Sequence, residues 1–129
     1  MNCEIGFDEL YERAAEIAVY RSLGKQTTAG FVGAALLSGS GKIYTGVNID
    51  APCSVGFCAE HSAIAAMVTA GESKVIKMVA VSCEGEVWPP CGRCREFLCQ
   101  INDQNEKCEV LLPDKSITTI GELLPYRWN

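Results

Sequence analysis

The sequence lacks an excess of basic residues. Eleven Lys and Arg stand against sixteen Asp and Glu, which gives a formal net charge of −5. Proteins that hold a phosphate backbone need a basic surface, because Lys and Arg side chains replace the counterions of the nucleic acid. We therefore expect no long nucleic acid among the partners of this protein.

Long hydrophobic runs and an export signal are also missing. The apolar runs, such as residues 31–37, are much shorter than the ~20 residues that cross a bilayer. The N-terminal region carries Asp8 and Glu9, whereas a secretory signal has a basic start and an apolar core. We expect no membrane partner and a cytoplasmic location.

The overall composition is that of a folded domain. Hydrophobic residues make up 48% of the 129 residues and charged residues 21%, which excludes a disordered chain. A chain of this length supports one hydrophobic core and leaves little room for a second. Residues 1–129 are expected to form a single domain.

Cysteine is present in unusual number, with eight residues. Without an export signal, this number indicates free thiols, and a metal site among them, rather than four disulfides. Half of the cysteines are expected to act only as small buried hydrophobic residues. These are Cys3, Cys83, Cys99 and Cys108.

Hydrophobic spacing predicts an alternation of helices and strands. The predicted elements are a helix over 7–23, strands over 31–37 and 42–48, a helix over 59–70, a strand over 77–83, a helix from 91, a strand over 109–112 and one helical turn over 120–124. This order predicts a sheet with helices on its faces, and parallel pairing across the later helical connections.

Two short segments carry metal-binding chemistry, Cys-Ala-Glu at 58–60 and Pro-Cys-Gly-Arg-Cys at 90–94. Each begins a predicted helix, where the helix dipole and free N–H groups favour thiolates. The spacing of Cys91 and Cys94 lets both bind one tetrahedral metal, and Cys58 supplies a third ligand. Three protein ligands leave one position open for water, which is typical of catalytic zinc.

Glu60 is the predicted proton carrier, because it follows Cys58 closely enough to reach the same space. The alternative interpretation is that Glu60 is only a solvated acidic residue in the first turn of a helix. Three thiolates leave zinc with a net charge near −1, which lowers the acidity of bound water. His61 and Arg95 could reduce that charge by hydrogen bonds to the sulfurs, whereas Arg93 is expected to be a surface charge.

A structural zinc site is the main alternative. It needs a fourth ligand, for which Cys53, His61 and Cys83 are available. The pattern of an acidic residue two positions after the first ligand, followed by Pro-Cys-x-x-Cys, is instead that of zinc nucleobase deaminases, which include a three-cysteine variant. The complete pattern favours the catalytic interpretation.

From about Phe31 onward the chain resembles the small cytidine deaminase family. The resemblance rests on residues 32–36, 46–50, 58–60, 90–95 and 123–125, the last followed by aromatic residues. It implies a three-layer α/β/α cytidine-deaminase-like fold with a mixed, mostly parallel five-stranded sheet. It also implies one zinc ion per subunit, on Cys58, Cys91 and Cys94, with Glu60 as proton shuttle.

The resemblance further implies a substrate site and an assembly. Asn48 and Asp50 would hold the ribose, and Ala59 is a further expected substrate contact. We also expect the backbone carbonyl of Pro89 to receive the departing amine, because proline keeps its C=O group. Trp128 would stand where the family places an aromatic residue that reaches the base pocket of a neighbouring subunit. Family members of this length are commonly homotetramers.

Several positions depart from the family pattern. Asp50 stands where Glu is usual, Gly30 replaces an aromatic residue two positions before Val32, and His61 replaces an Arg. The segment 48–58 is shorter by one residue, and in this it resembles blasticidin S deaminases. We therefore expect a zinc-dependent deaminase of a free cytosine nucleoside. The alternatives are a deaminase of blasticidin S or another modified nucleoside, and a non-catalytic domain that zinc stabilises for assembly.

Overall fold

The structure, a computed structural model, describes residues 5–129, which build one mixed sheet with helices on both faces. The strands are β1 (Arg21–Ser22), β2 (Thr28–Ser38), β3 (Ile43–Asp50), β4 (Val75–Ser82), β5 (Val87–Trp88), β6 (Glu109–Leu111) and β7 (Ile117–Thr119). The order across the sheet is β1-β2-β4-β6-β7, with β3 paired to β2 and β5 paired to β4.

Four α-helices and two short 3-10 helices complete the fold. They are α1 (Phe7–Ile17), α2 (Ala59–Thr69), α3 (Gly92–Ile101) and α4 (Ile120–Leu123), with the 3-10 helices at Pro52–Ser54 and Asp103–Lys107. α2 ends at Thr69, one residue before the predicted end, and Gly71 follows with φ +96°, a conformation that favours glycine after a helix. No helix in residues 5–129 has the length and apolar character needed to cross a membrane.

The hydrophobic core lies on both faces of the sheet. On the α1 face, Leu10 and Ala14 pack against Leu37, Val79 and Val81. On the opposite face, α2 and α3 cover the alternate residues of the same strands. The buried residues there include Ala34, Leu36, Ile64, Met67, Met78, Leu98 and Val110. This arrangement confirms the predicted three-layer α/β/α architecture.

The prediction of a mostly parallel, five-stranded sheet was wrong. The sheet has seven strands in residues 5–129, and only the β4–β6 pairing there is parallel. The β4–α3–β6 connection is the helical crossover that the element order predicted. The other pairings are antiparallel. Most of them join consecutive strands where the chain turns back, as between β4 and β5 and between β6 and β7, whereas β2 pairs with β4 after β3 and α2 have intervened.

The first helix is shorter than predicted. It ends at Ile17 instead of residue 23, and Ala18 leaves it with φ −78° and ψ 72°. Helical hydrophobic spacing supports the helix only as far as Ala18. Beyond it, β1 gains backbone hydrogen bonds by pairing with β2.

The prediction of small buried cysteines is confirmed for two of the residues and wrong for a third. Cys99 and Cys108 are buried, as predicted, whereas Cys83 is exposed because it follows the end of β4. Cys3 lies outside the described residues. All seven cysteines in residues 5–129 are free, which agrees with the prediction of thiols instead of disulfides.

Candidate active site

The starts of α2 and α3 bring the predicted sulfur ligands together. Cys58 caps α2, Cys91 caps α3, and Cys94 lies in the first turn of α3. The Sγ atom of Cys91 lies 3.4 Å from that of Cys58 and 3.5 Å from that of Cys94. The remaining pair, Cys58 and Cys94, lies within 4.8 Å. Tetrahedral zinc with Zn–S bonds of ~2.3 Å holds its sulfurs ~3.8 Å apart, so the trio fits zinc.

The helix starts also explain the electrostatics of Cys91. Its backbone is extended, with φ −71° and ψ 168°, so the first-turn N–H groups of α3 face its sulfur. Partial burial alone would raise the pKa of the Cys91 thiol, but the nearby backbone N–H group of Cys94, the sulfurs of Cys58 and Cys94 and the N–H group of Arg93 lower that pKa. Cys91 is therefore the cysteine of the three whose thiolate the local backbone favours.

The other two thiols have raised pKa values. Burial raises the pKa of Cys58 to about 11, and the neighbouring Cys91 sulfur adds to the effect. Burial also raises the pKa of Cys94, followed by the charges of Glu60 and the other two sulfurs. Three crowded thiols of this kind need a divalent cation to hold them as thiolates, and zinc is the metal whose ligand preference matches.

His61 places a ring nitrogen close to one of the sulfurs. Its Nδ1 atom lies 3.4 Å from Cys94 Sγ, and its ring stacks on Phe97 with centroids 4.5 Å apart. Burial and then the charge of Arg93 lower the pKa of His61, so its imidazole is neutral at pH 7. Nδ1 can therefore donate a hydrogen bond to the Cys94 sulfur, as predicted, or serve as a fourth zinc ligand, for which an S···N separation of ~3.5 Å is expected.

Glu60 is buried beside the sulfurs instead of solvated. Its side chain is 5% exposed, although it stands in the first turn of α2. Burial raises the pKa of its carboxyl, and Cys94 Sγ donates to Oε1 over 3.7 Å. A carboxyl that is buried, poorly hydrogen-bonded and close to a metal site is suited to proton transfer near neutral pH.

A cavity of about 530 Å³ opens directly beside Glu60. Its wall includes four residues that the sequence assigned to substrate binding. These are Asn48, Asp50, Ala59 and Pro89. Cys58 and Cys91 also line the cavity, so two of the three proposed metal ligands and the predicted substrate contacts face one space.

Asn48 and Asp50 form a polar corner of the cavity. Asn48 is 8% exposed, and its Oδ1 accepts a hydrogen bond from the Val32 N–H over 2.8 Å. Its Nδ2 donates to Asp50 Oδ2 over 3.2 Å. Asn48 therefore positions the exposed Asp50 carboxylate, which is the freer of the two to meet a ligand.

Three further predicted residues occupy different places. Arg95 donates to the backbone carbonyls of Pro90 (2.8 Å) and Leu123 (3.0 Å), and so supports the segment before Cys91 instead of contacting a sulfur. Arg93 is exposed, as expected for a surface charge, but it borders the cavity. Trp128 is 82% exposed and does not line the cavity of its own chain.

Sequence reasoning missed the aromatic lining of the cavity. Phe31, Phe57 and Trp88 all face it, and none was predicted as a site residue. Each of them is next to a recognised motif residue in the sequence, and this position was the signal that could have identified it as a cavity residue. The position where the family resemblance places an aromatic residue is Gly30, which has φ +86°. A Cβ there would collide with the Val19 carbonyl oxygen, so no side chain fits.

Comparison with known proteins agrees with this geometry. Residues 7–109 match the family model described as the cytidine and deoxycytidylate deaminase zinc-binding region. A cytidine deaminase of Mycobacterium tuberculosis is 32% identical over 97 residues, which cover 73% of this chain and 69% of that protein. A cytidine deaminase of Shewanella frigidimarina is 30% identical over 102 residues, which cover 77% of this chain but only 32% of that protein.

Solved structures show the same fold. The crystal structure of cytidine deaminase from M. tuberculosis superposes with a TM-score of 0.81 and 26% identity, covering 98% of this chain and 99% of that one. The enzyme from Mycobacterium leprae gives a TM-score of 0.79 at 26% identity, covering 95% and 99%. This chain therefore belongs to the cytidine and deoxycytidylate deaminase family, and zinc is its metal.

Proposed function

We propose that this protein is a zinc-dependent hydrolase that deaminates a free cytosine nucleoside. Water and the nucleoside react to give the uracil nucleoside and ammonia. The observation that carries the proposal is the position of Glu60, whose buried carboxyl contacts Cys94 Sγ and whose side chain lines the cavity together with Cys58 and Cys91. We also propose that residues 1–129 form one deaminase domain.

Cys58, Cys91 and Cys94 are the proposed zinc ligands. When bound, zinc supplies Lewis acidity, which lets water act as a nucleophile near neutral pH. Glu60 would take one proton from water as the water oxygen bonds to C4 of the pyrimidine ring, and would deliver that proton to N3. It would then move the remaining proton of the new C4 hydroxyl group to the amino group as the C4–N bond breaks and ammonia leaves, and the carbonyl of Pro89 would accept a hydrogen bond from that amine.

The proposed sugar contacts are Asn48 and Asp50. Their hydrogen bond, and the exposure of Asp50 within the cavity, support a role in binding a hydroxyl group. The same carboxylate would also suit a cationic substituent, and this favours blasticidin S or a similar modified nucleoside as the alternative substrate.

We also propose that the protein is a homotetramer in the cytoplasm. The exposure of Trp128 supports a homotetramer in which the C-terminal segment of one subunit reaches the site of the next. The seven free cysteines of residues 5–129 support a reducing compartment such as the cytoplasm.

One observation favours a second function of another class. The ligand atoms of Cys58, His61 and Cys94 all lie within 4.8 Å of one another. If His61 joined the three sulfurs, zinc would have four protein ligands and no open position, as in structural zinc sites. The protein would then be a non-catalytic domain that zinc stabilises for assembly.

Ammonia release from cytidine, 2′-deoxycytidine and blasticidin S tests these proposals, with zinc measured by elemental analysis. A cytosine nucleoside deaminase hydrolyses at least one of the first two faster than blasticidin S. Glu60→Ala should keep its zinc and lose turnover, and retention of most of the rate would contradict the role of Glu60.

The His61→Ala variant separates the two functions. An open catalytic site keeps its zinc without this side chain, because three sulfurs remain. If His61 is a fourth ligand, His61→Ala loses affinity for zinc, and the unmodified protein deaminates no pyrimidine. That combination of results would overturn the proposed activity.

A further inference from the structure

We propose that a groove beside β5 is a docking site for an extended peptide segment of another protein, one that combines Lys or Arg side chains with apolar ones. We call it the β5 groove, and it is bounded by Phe7 on α1, Val87 on β5 and Ile117 on β7. Among residues 5–129 it shares only Trp88 with the cavity beside Glu60. The inference therefore does not rest on the proposed activity.

The β5 groove is large and has an apolar floor. Its volume is about 1050 Å³, at the upper end of the ~300–1,000 Å³ that is usual for small-molecule pockets. Phe7, Val87 and Leu111 pack against the core of the α1 face, and Ile117 beside them is 54% exposed. A peptide that covered these side chains would remove apolar surface from water.

The sheet leaves one strand position empty at this groove. β2 occupies one edge of β4 along its whole length, so β5 and β6 share the other edge. β7 fills the next position beside β6. No strand of residues 5–129 fills the equivalent position beside β5. The β5 groove lies at this gap, because its lining runs from β5 to β7.

The outer edge of β5 presents free backbone groups to that gap. The Ser82 N–H donates to the Glu86 carbonyl over 2.7 Å, and the next pair along is Val81 with Val87. Hydrogen-bonded and non-hydrogen-bonded pairs alternate in an antiparallel ladder, so the N–H and C=O of Val87 point away from β4. An extended peptide can add to such an edge as a further strand.

The rim of the groove carries an excess of carboxylates. Asp8 and Glu12 line it from α1, and Glu86 lines it just before β5. Lys115 is the one cation among the lining residues that the structure describes, and all four charged side chains are exposed. This charge favours a basic partner and disfavours a second copy of the chain, whose own net charge is −5.

Hydrogen bonds hold the two sides of the groove in place. The Tyr11 hydroxyl group donates to the Gly85 carbonyl over 2.6 Å, which joins α1 to the β4–β5 turn. Lys77 Nζ donates to the Ile5 carbonyl over 3.1 Å and lies 5.7 Å from the centre of the Phe7 ring, which fixes the start of α1 on the sheet. A preformed groove lowers the ordering cost of binding.

Fluorescence anisotropy with synthetic peptides tests the docking site. The probe is a fluorescein-labelled peptide of three Lys-Val repeats, because a strand places alternate side chains on opposite sides. We expect saturable binding that weakens as NaCl is raised. Matched Glu-Val and Lys-Ser peptides should bind at least about tenfold more weakly. A Lys-Val peptide with every backbone amide N-methylated should bind at least about fivefold more weakly, because it has no strand donors.

Paired charge variants test the rim. Asp8→Asn combined with Glu12→Gln removes two charges from the groove and should raise the Kd of the Lys-Val peptide about fivefold. Glu9→Gln combined with Glu16→Gln is the matched control, because it removes two exposed charges of α1 that do not line the groove. The control should change the Kd less than twofold.

Paired apolar variants test the floor. Ile117→Ser should raise the Kd about fivefold, because the peptide no longer buries this side chain. Leu23→Ser is the matched control, since Leu23 is also 54% exposed but lies outside the groove. Thermal unfolding of every variant shows whether it is folded. The Val87 amide should exchange its hydrogen more slowly when the peptide is bound, because that N–H gains an acceptor.

Each remaining outcome overturns the inference. Lack of Lys-Val binding by the folded protein, or equal binding of the Lys-Ser or N-methylated peptide, contradicts strand addition at an apolar groove. Equal losses in target and control variants contradict the location. Self-association that Ile117→Ser abolishes would show that a second copy occupies the groove. None of these measurements needs turnover, so peptide binding without deamination supports the docking site and contradicts only the proposed activity.

Discussion

The two ends of α2 hold two glutamates in opposite situations. Glu60 at the N-terminal end is buried, and its carboxyl accepts one side-chain hydrogen bond within residues 5–129, from Cys94 over 3.7 Å. Glu72, just beyond the C-terminal end, accepts hydrogen bonds from the hydroxyl groups of Tyr44 (2.8 Å), Ser38 (3.0 Å) and Ser40 (3.0 Å). The Glu60 carboxyl can therefore accept further hydrogen bonds, whereas the Glu72 carboxyl can accept almost none.

The pKa values of the two carboxyls follow these surroundings. Burial raises the pKa of Glu60, whose few hydrogen bonds do not compensate. Partial burial acts in the same direction on Glu72, but the hydrogen bonds from Tyr44, Ser38 and Ser40 outweigh it and lower the pKa. The comparison indicates that Glu60 is kept reactive at a cost in stability, whereas Glu72 attaches the β2–β3 turn to α2.

The largest expected effect is on turnover. Glu60→Gln keeps the size of the side chain but cannot carry a proton, so deamination of cytidine should fall at least about 100-fold. Glu72→Gln is the matched change at the other end of α2 and should leave the rate within about twofold, because Glu72 does not line the cavity. Steady-state rates with equal zinc content check both values. Equal losses in the two variants would contradict the functional contrast between the helix ends.

Metal binding provides the second contrast. Cys91→Ala should lose zinc and unfold at a temperature several degrees lower, because metal binding favours the folded state. Cys83→Ala removes another exposed, free thiol, outside the sulfur trio, and should keep full zinc. Elemental analysis and thermal unfolding measure the two effects. A full zinc complement in Cys91→Ala would exclude Cys91 as a ligand.

The sequence predicted the convergence of Cys58, Cys91, Cys94 and Glu60, and the structure brings these side chains together. It could do so because each stands at a helix start, where local spacing fixes the direction of the side chain. The α/β/α layers were predicted for a similar reason, since hydrophobic spacing marks the face that each element buries.

The features that the sequence did not predict depend on contacts between distant segments. Phe31 and Trp88 meet because β2 and β5 flank β4 on its two sides. The antiparallel character of most pairings and the short β1 likewise follow from how the chain turns back on itself. Spacing along a single element carries no information on such pairings.

A smaller effect concerns stability at the C-terminal end of α2. Glu72→Gln should lower the unfolding temperature by a few degrees, for two reasons. The three hydroxyl groups that now donate to the carboxylate Oε2 would meet a neutral, weaker acceptor, and the amide NH2 group cannot accept the hydrogen bond that the Ser40 N–H now donates to Oε1. Glu60→Gln should leave that temperature unchanged or raise it, since it removes a poorly solvated carboxyl. Thermal unfolding of both variants with zinc bound checks the opposite signs. A decrease of equal size in both would show that Glu60 also stabilises the fold.

The smallest expected effect is the pH dependence of the Glu72 contribution. Its folded pKa lies below the unfolded value of about 4.3, so the charged form stabilises the fold above that pH. As the pH falls through the folded pKa, Glu72 takes up a proton and this contribution is lost. The difference in unfolding temperature between the wild type and Glu72→Gln should therefore be largest near neutral pH and shrink below about pH 4. A difference that stays constant on acidification would mean that packing, and not the carboxylate charge, joins the turn to the helix.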